Sequence, residues 1–299
     1  MSDRYISANA YCRRVFGEKV YKLALSASVS CPNRDGTKGY GGCIFCSRGG
    51  SGDFAASASL SLEEQIAEAK AILGKKGEGK KYIAYFQSFT GTYGDLDALE
   101  RIYTKSAETE GIVGVSVATR PDCLGEKELA MLRRLSGKTA LWVELGLQTV
   151  HPKTAEYIRR GYELECYEEA MQELSKLPVH KITHVILGLP GESREEMLQS
   201  VRYAGQCTDG IKLQLLHVLE GTDLAEDYRT GKFEVLGMDE YCELVAEAVS
   251  ILPQNVVIHR LTGDGAKKDL IAPLWSGDKK RVLNKINAAL RERGIFPAI

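Results

Sequence analysis

The chain alternates short, β-branched apolar runs with longer stretches whose apolar residues recur every three to four positions. This is the pattern of strands followed by amphipathic helices. Strands are expected at Val20–Ser26, Tyr82–Gln87, Ile112–Ala118, Ala140–Leu147, Lys181–Leu187, Ile211–His217 and Val256–His259. Helices are expected at Leu62–Leu73, Asp95–Glu108, Glu126–Leu135, Pro152–Arg160, Tyr167–Lys176, Arg194–Gln206, Asp239–Leu252 and Lys279–Arg291. Six consecutive strands, each followed by a helix, predict an α/β fold: a partial (β/α)6 TIM-like barrel on a parallel sheet. The rhythm loosens after about Gly221, so residues 1–235 are expected to form the core barrel and 236–299 a C-terminal α/β extension. The stretch Gly74–Lys81, rich in Gly and Lys, reads as a flexible connection.

Composition changes this picture little. Of 299 residues, 44% are hydrophobic and 26% charged, as in ordinary globular proteins. No run approaches the roughly 18 apolar residues of a membrane span, and the N-terminus lacks a signal-peptide core. A cytoplasmic location with no membrane partner is the expectation.

The cysteines change it more. Of eight, three are clustered: Cys31, Cys43 and Cys46, with eleven residues in the first gap and two in the second. The longer gap contains four glycines, a proline and Asn33-Arg34-Asp35, so it turns rather than packs. In a chain without an export signal, clustered cysteines point to metal rather than disulfides. Three thiolates are one short of the usual iron–sulfur set, which leaves one iron open to a small molecule. Zinc is the bland alternative, but no second CxxC or HxxH supplies further ligands at finger spacing. Cys12 is a weaker fourth ligand, because it sits in a helical-looking segment. The remaining isolated cysteines read as small buried hydrophobes. The cluster loop follows the first predicted strand, at the end of a barrel where chemistry sits.

Polar residues inside apolar strands carry the next signal. Glu144 interrupts Leu141-Trp142-Val143, and a buried, unpartnered carboxylate there would cost several kcal/mol. Alternation puts Glu144, Gly146 and Gln148 on one face, and directs His184 and His217 toward the barrel interior. Each histidine reads equally well as packing.

With these residues in view, the chain resembles the radical S-adenosylmethionine (SAM) enzymes, in the subfamily with the widened first cysteine gap. More distantly it is similar to the Elongator catalytic subunit and the anaerobic coproporphyrinogen oxidase. The resemblance implies a radical SAM barrel holding a [4Fe–4S] cluster on Cys31, Cys43 and Cys46, with SAM on the open iron. It implies that Phe45 lies against the adenine. By location, Gln87-Ser88-Phe89-Thr90 stands where the family holds the SAM amino group, although the family's Gly-Gly-Glu is absent. Arg120, in Arg-Pro-Asp, matches Elongator-type relatives. The Glu144-to-Gln148 strand is implied to face the SAM ribose, and Arg160, twelve residues on, to bind the SAM carboxylate through its fork. The His184-to-Gly191 segment resembles a Gly-x-Ile-x-Gly-x-x-Gly strand, with His184 replacing its first glycine or a ribose-binding Asp and with Gly188 kept. His217 ends the sixth strand, before a Gly-Thr-x-Leu turn at Gly221.

The subfamily is implicated in modifying the wobble uridine of tRNA, converting a 5-carboxymethylaminomethyl group to 5-aminomethyl. The resemblance thus implies tRNA as substrate and an electron donor such as flavodoxin or ferredoxin. A net charge of −1 argues against binding nucleic acid by bulk charge. Locally, residues 265–299 hold eight Lys or Arg against three acids, and 74–81 hold four lysines against Glu78. A radical SAM enzyme for a small molecule such as a porphyrinogen, or a non-catalytic iron–sulfur module, remains open at this stage.

Overall fold

The structure is a computed structural model that describes residues 3–50, 55–77, 80–263, 265 and 267–298. In chain order the elements are β1 (Asp3–Ser7), α1 (Ala8–Phe16), β2 (Val20–Leu25), α2 (Leu62–Leu73), β3 (Lys81–Phe86), α3 (Leu96–Ala107), β4 (Ile112–Thr119), α4 (Glu126–Ser136), β5 (Ala140–Gln148), α5 (Pro152–Tyr157) and α6 (Leu164–Ser175). Then follow β6 (His180–Leu187), α7 (Arg194–Cys207), β7 (Gly210–Leu215), β8 (Val218–Leu219), α8 (Asp223–Arg229), α9 (Met238–Ile251), β9 (Val257–Arg260), β10 (Leu270–Ala272), α10 (Lys279–Glu292) and β11 (Ile295–Pro297).

Nine strands form one sheet in the order β11-β1-β9-β7-β6-β5-β4-β3-β2. Every neighbouring pair in it is parallel. The six-unit α/β barrel expected from the sequence is the run from β2 to β7, and the sheet stays open. Local chemistry sets the helix starts. Ser61 with Glu64, and Ser193 with Glu196, form reciprocal capping boxes on α2 and α7. Asp95 caps α3, and Gly17 ends α1 at φ +81°. Strand β3 is buried from Tyr82 to Phe86 on both faces, as a helix-covered parallel strand must be.

Beyond β7 the sheet differs from the expectation. The pattern places β9 but not β1 or β11, and β1 pairs with both of them. The run Asp3-Arg4-Tyr5-Ile6-Ser7 is short and polar, without the alternation of a half-buried strand, so only the tertiary pairing reveals it. Of the expected connection at Gly74–Lys81, Glu78 and Gly79 lie outside the described residues, while Gly74–Lys76 forms a 3-10 turn.

A large core lies between sheet and helices. A second, smaller one (Ile44, Ile158, Ile186, Leu189, Leu216, Leu224) lies under the cysteine loop. The backbone stitches that loop down as well: Ile44 N–H donates to Ile158 O at 3.2 Å, and Leu224 N–H to Ile44 O at 3.0 Å.

Candidate functional site

The cysteine loop leaves β2 at the carboxyl edge of the sheet and closes on itself. Arg34 N–H donates to Cys31 O at 2.8 Å, Gly42 N–H to Asn33 O at 2.8 Å and Cys46 N–H to Cys43 O at 2.9 Å. Asn33 Nδ2 donates to Arg159 O at 2.6 Å and lies 3.6 Å from the Cys43 sulfur. Arg34 Nη2 holds the carbonyls of Cys46, at 2.9 Å, and Ser47. Cys31, Cys43 and Cys46, none of them in a disulfide, line one cavity of about 230 Å³. Burial pushes the Cys43 thiol up to about 12, and the neighbouring Cys46 and Cys31 push in the same direction. A thiol in that position ionises when a cation meets it.

Among the described residues no three His, Cys, Asp or Glu side chains converge on a point for a single metal ion. Those residues thus offer no preformed cage for a mononuclear zinc. A cubane spreads its three ligands over three irons and needs a wider concavity, which these sulfurs line. Cys12 is not a fourth ligand. It is buried with Ile83, Trp142 and Ile182 on the opposite side of the barrel, and burial raises it to about 11. Among the other cysteines, Cys242 is buried as expected, whereas Cys123, Cys166 and Cys207 are only half-buried.

The floor of the cavity is a charged network centred on Glu144, itself buried. Lys22 Nζ, at 3.0 Å, and Ser116 Oγ, at 2.8 Å, donate to Oε1. His184 Nε2, at 2.7 Å, and Lys212 Nζ bond Oε2. Lys212 also donates to the Tyr85 hydroxyl at 2.9 Å. Burial alone would raise the Glu144 carboxyl, but the charges of Lys212 and Lys22 and the His184 hydrogen bond hold it well below its ordinary value. Burial, with Lys212 nearby, pushes His184 down to about 4 despite its bond to Glu144. The neutral ring then donates from Nε2 to Glu144, and its Nδ1 accepts from Gln214 Nε2 at 3.2 Å. The ladder pairs Gly146 with His184, His184 with Lys212 and Lys212 with Arg260, so these side chains share one level across four strands.

Of the residues expected from the sequence, Phe45, Gln87, Thr90, Arg120, Glu144, Gln148, Arg160, His184 and His217 line this cavity with the three cysteines. Ser88 and Gly188 are not among its lining residues. Ser88 is buried beside it. Gly188 has φ +90° in the turn after β6, donates to Met197 Sδ at 3.0 Å and packs on Leu236, so its task is to shape the turn.

Several expected geometries change. Simple alternation does not carry to Gln148, because the register slips between Gly146 and Gln148 and Gln148 adopts φ +67°. Glu144 has both oxygens filled by protein donors, and His184 has both ring nitrogens engaged. The Arg120 fork is committed to Asp122, with Nε and Nη2 each at 2.9 Å. Arg160 spends Nε on Tyr162 O at 3.0 Å, and Nη1 on Leu147 O at 3.1 Å and Thr149 O at 2.7 Å. Among the described residues only Nη2 is left without a partner, so a carboxylate would meet this arginine through one nitrogen rather than its fork.

Three buried polar atoms near this wall have no hydrogen-bond partner among the described residues: Ser88 Oγ, Thr90 Oγ1 and Gln148 Oε1. Each left unmade costs about 1–3 kcal/mol, and two hydroxyls with one amide acceptor suit a polar ligand. Sequence reasoning missed Lys212, Lys22 and Tyr162. The lysines carried the signal that exposed Glu144, a charge inside an apolar strand. Tyr162 carried none, since its loop position is set by Arg120 and Arg160, whose guanidinium carbons lie 5.0 and 4.6 Å from its ring centre.

A family model described as the Radical SAM superfamily matches residues 29–204, and one for a Radical_SAM C-terminal domain matches 208–292. The chain is 42% identical to the uncharacterised protein YtqA of Bacillus subtilis, over 98% of this chain and 91% of that one. It is 30% identical to the tRNA uridine(34) acetyltransferase of Methanocaldococcus jannaschii, over 51% of this chain and 28% of that one. Among solved structures, Methanocaldococcus infernus Elp3 superposes with a TM-score of 0.67 at 20% identity, covering 92% of this chain and 63% of that one.

Proposed function

Since the chain belongs to the radical SAM superfamily, an enzyme class built on a [4Fe–4S] cluster and SAM, we propose that it acts on the wobble uridine of tRNA. The conversion proposed is that of 5-carboxymethylaminomethyluridine to 5-aminomethyluridine. The observation that carries the reading is that one cavity receives three cysteines from the β2 loop and orphaned polar atoms from the ends of β3 and β5. The relatives that share half of this chain and are named for uridine-34 of tRNA direct the choice of substrate.

On this reading Cys31, Cys43 and Cys46 hold the cluster, and Phe45 lies against the adenine. The Gln87, Ser88 and Thr90 segment and Gln148 receive the polar groups of SAM, with Arg160 Nη2 on its carboxylate. When bound, the cluster and SAM supply a carbon radical that takes hydrogen from an unactivated carbon. The chain's own work is to bind, orient and exclude water. Arg34 and Asn33 fix the cysteine loop. Lys212, Lys22 and His184 neutralise Glu144 and hold the floor rigid. His217, pressed by Gly263, forms the far wall. A flavodoxin or ferredoxin would supply the electron.

Surface charge supports a polyanionic substrate in part. Lys285 and Arg293 are engaged by Asp239 and by Glu243, the latter at 2.6 Å. Lys280 and Arg281 stand exposed in the first turn of α10, where the helix dipole disfavours cations. The test is reconstituted protein with SAM, reductant and tRNA carrying the carboxymethylaminomethyl nucleoside. Formation of 5′-deoxyadenosine with loss of that nucleoside by mass spectrometry is expected. SAM cleavage with the nucleoside unchanged would refute the substrate.

A further inference from the structure

The wide gap between Cys31 and Cys43 holds more chain than a cluster needs, and at its tip stands an aromatic side chain. We propose that Tyr40 is a stacking platform for an unpaired nucleobase of the RNA, next to the nucleotide that enters the cavity. This deepens, and rests on, the tRNA reading above.

Tyr40 is 81% exposed, more than any other large hydrophobic side chain described. A lone exposed tyrosine usually needs no explanation. This one has a built seat. Its ring lies so close over Gly36 that a Cβ there would fall 2.7 Å from Cε1, and Gly36 has φ +92°, so glycine is required twice over. The loop around it is clasped. Asp35 and Tyr40 form an antiparallel bridge, and Gly36 N–H donates to Gly39 O at 3.1 Å. Lys38 N–H donates to Pro32 O at 2.8 Å, and Lys38 Nζ reaches Asp122 at 2.7 Å. Thr37 Oγ1 and the Tyr93 hydroxyl lie 2.8 Å apart. A ring held this way loses little freedom on stacking, which is what makes an aromatic contact effective.

The cavity that Gly42, two residues on from Tyr40, helps to line selects the occupant. Its lining includes Phe89 with the Arg34 guanidinium carbon 5.6 Å from the ring centre, and Tyr162 flanked by Arg120 and Arg160. Aromatic rings paired with guanidinium groups are the chemistry that receives splayed, single-stranded bases. A duplex offers no free base face to Tyr40. An unpaired loop does.

The experiment measures equilibrium binding of an anticodon stem-loop, and of a duplex RNA of equal length, to the reconstituted holoenzyme. Tyr40→Ala is expected to weaken stem-loop binding about tenfold and to leave the duplex unaffected. Tyr40→Phe and Tyr40→Trp should restore it, and Gly36→Ala, which unseats the ring while keeping it, should weaken it too. Stem-loop binding unchanged in Tyr40→Ala, or a Tyr40→Phe protein as weak as Tyr40→Ala, overturns the platform alone. A wild-type protein that binds the stem-loop no better than the duplex overturns the tRNA reading, and the platform falls with it.

Discussion

Lys212 places its ammonium on the Glu144 carboxylate inside the barrel, with side chains only 3% and 0% exposed. Breaking one partner of such a pair costs about 3–5 kcal/mol, because the other charge stays buried. Lys22 softens the loss here by holding the second oxygen. Lys212→Met is therefore expected to lower stability by about 3 kcal/mol in urea melts, and Glu144→Gln by a similar amount. The double variant should lose less than the two single losses added. Strict additivity would mean that the two groups do not act as a unit.

Acid should weaken the protein early. His184 and His180 are both pushed down to about 4, chiefly by burial. An unfolded chain binds these protons from about pH 6.5 downward, whereas the folded chain binds them only near pH 4. Their contribution is therefore complete above pH 6.5 and lost as pH falls through that window, by about 1 kcal/mol per unit for each histidine. Denaturant melts from pH 7.5 to 4.5 measure the slope. His184→Gln should reduce it by about that amount.

Gln148 stands at φ +67° with a buried amide oxygen that has no partner among the described residues. Gln148→Gly removes both burdens, and should leave the protein as stable as wild type or about 1 kcal/mol more so. If the amide serves SAM, the same change should raise the KM for SAM roughly tenfold, as expected for one lost hydrogen bond in a closed site. Loss of stability with an unaltered KM would show that Gln148 is a packing residue.

Iron content separates the three loop cysteines from the rest. Cys31→Ala, Cys43→Ala and Cys46→Ala should each lose most reconstituted iron, while Cys12→Ala and Cys207→Ser keep it. Since thiolates bind the metal, iron retention should also fall as pH drops. Equal iron in Cys43→Ala and wild type would sink the ligand assignment.

Much of this was legible in the residues. The period-two and period-3.6 patterns located every strand from β2 to β7, and the cysteine spacing located the loop, because these signals depend only on near neighbours in the chain. Glu144 announced itself as a charge in an apolar strand. Lys22 and Lys212 carried the same signal, but their shared partner could not be read, since Lys22 and Glu144 are 122 residues apart.

What the sequence by itself determined is the α/β barrel, the cysteine loop at the carboxyl end of its first strand, and the family. The first two follow from local periodicity and cysteine spacing, and the family from the resemblance of the motifs along the chain. Only the tertiary structure decided which donors fill Glu144, that Arg160 offers one nitrogen rather than a fork, and that a register slip turns Gln148. It alone decided that β1 belongs between β9 and β11. Hydrogen-bond capacity is shared out among groups far apart in the chain, and no local pattern records which of them reaches a given atom first.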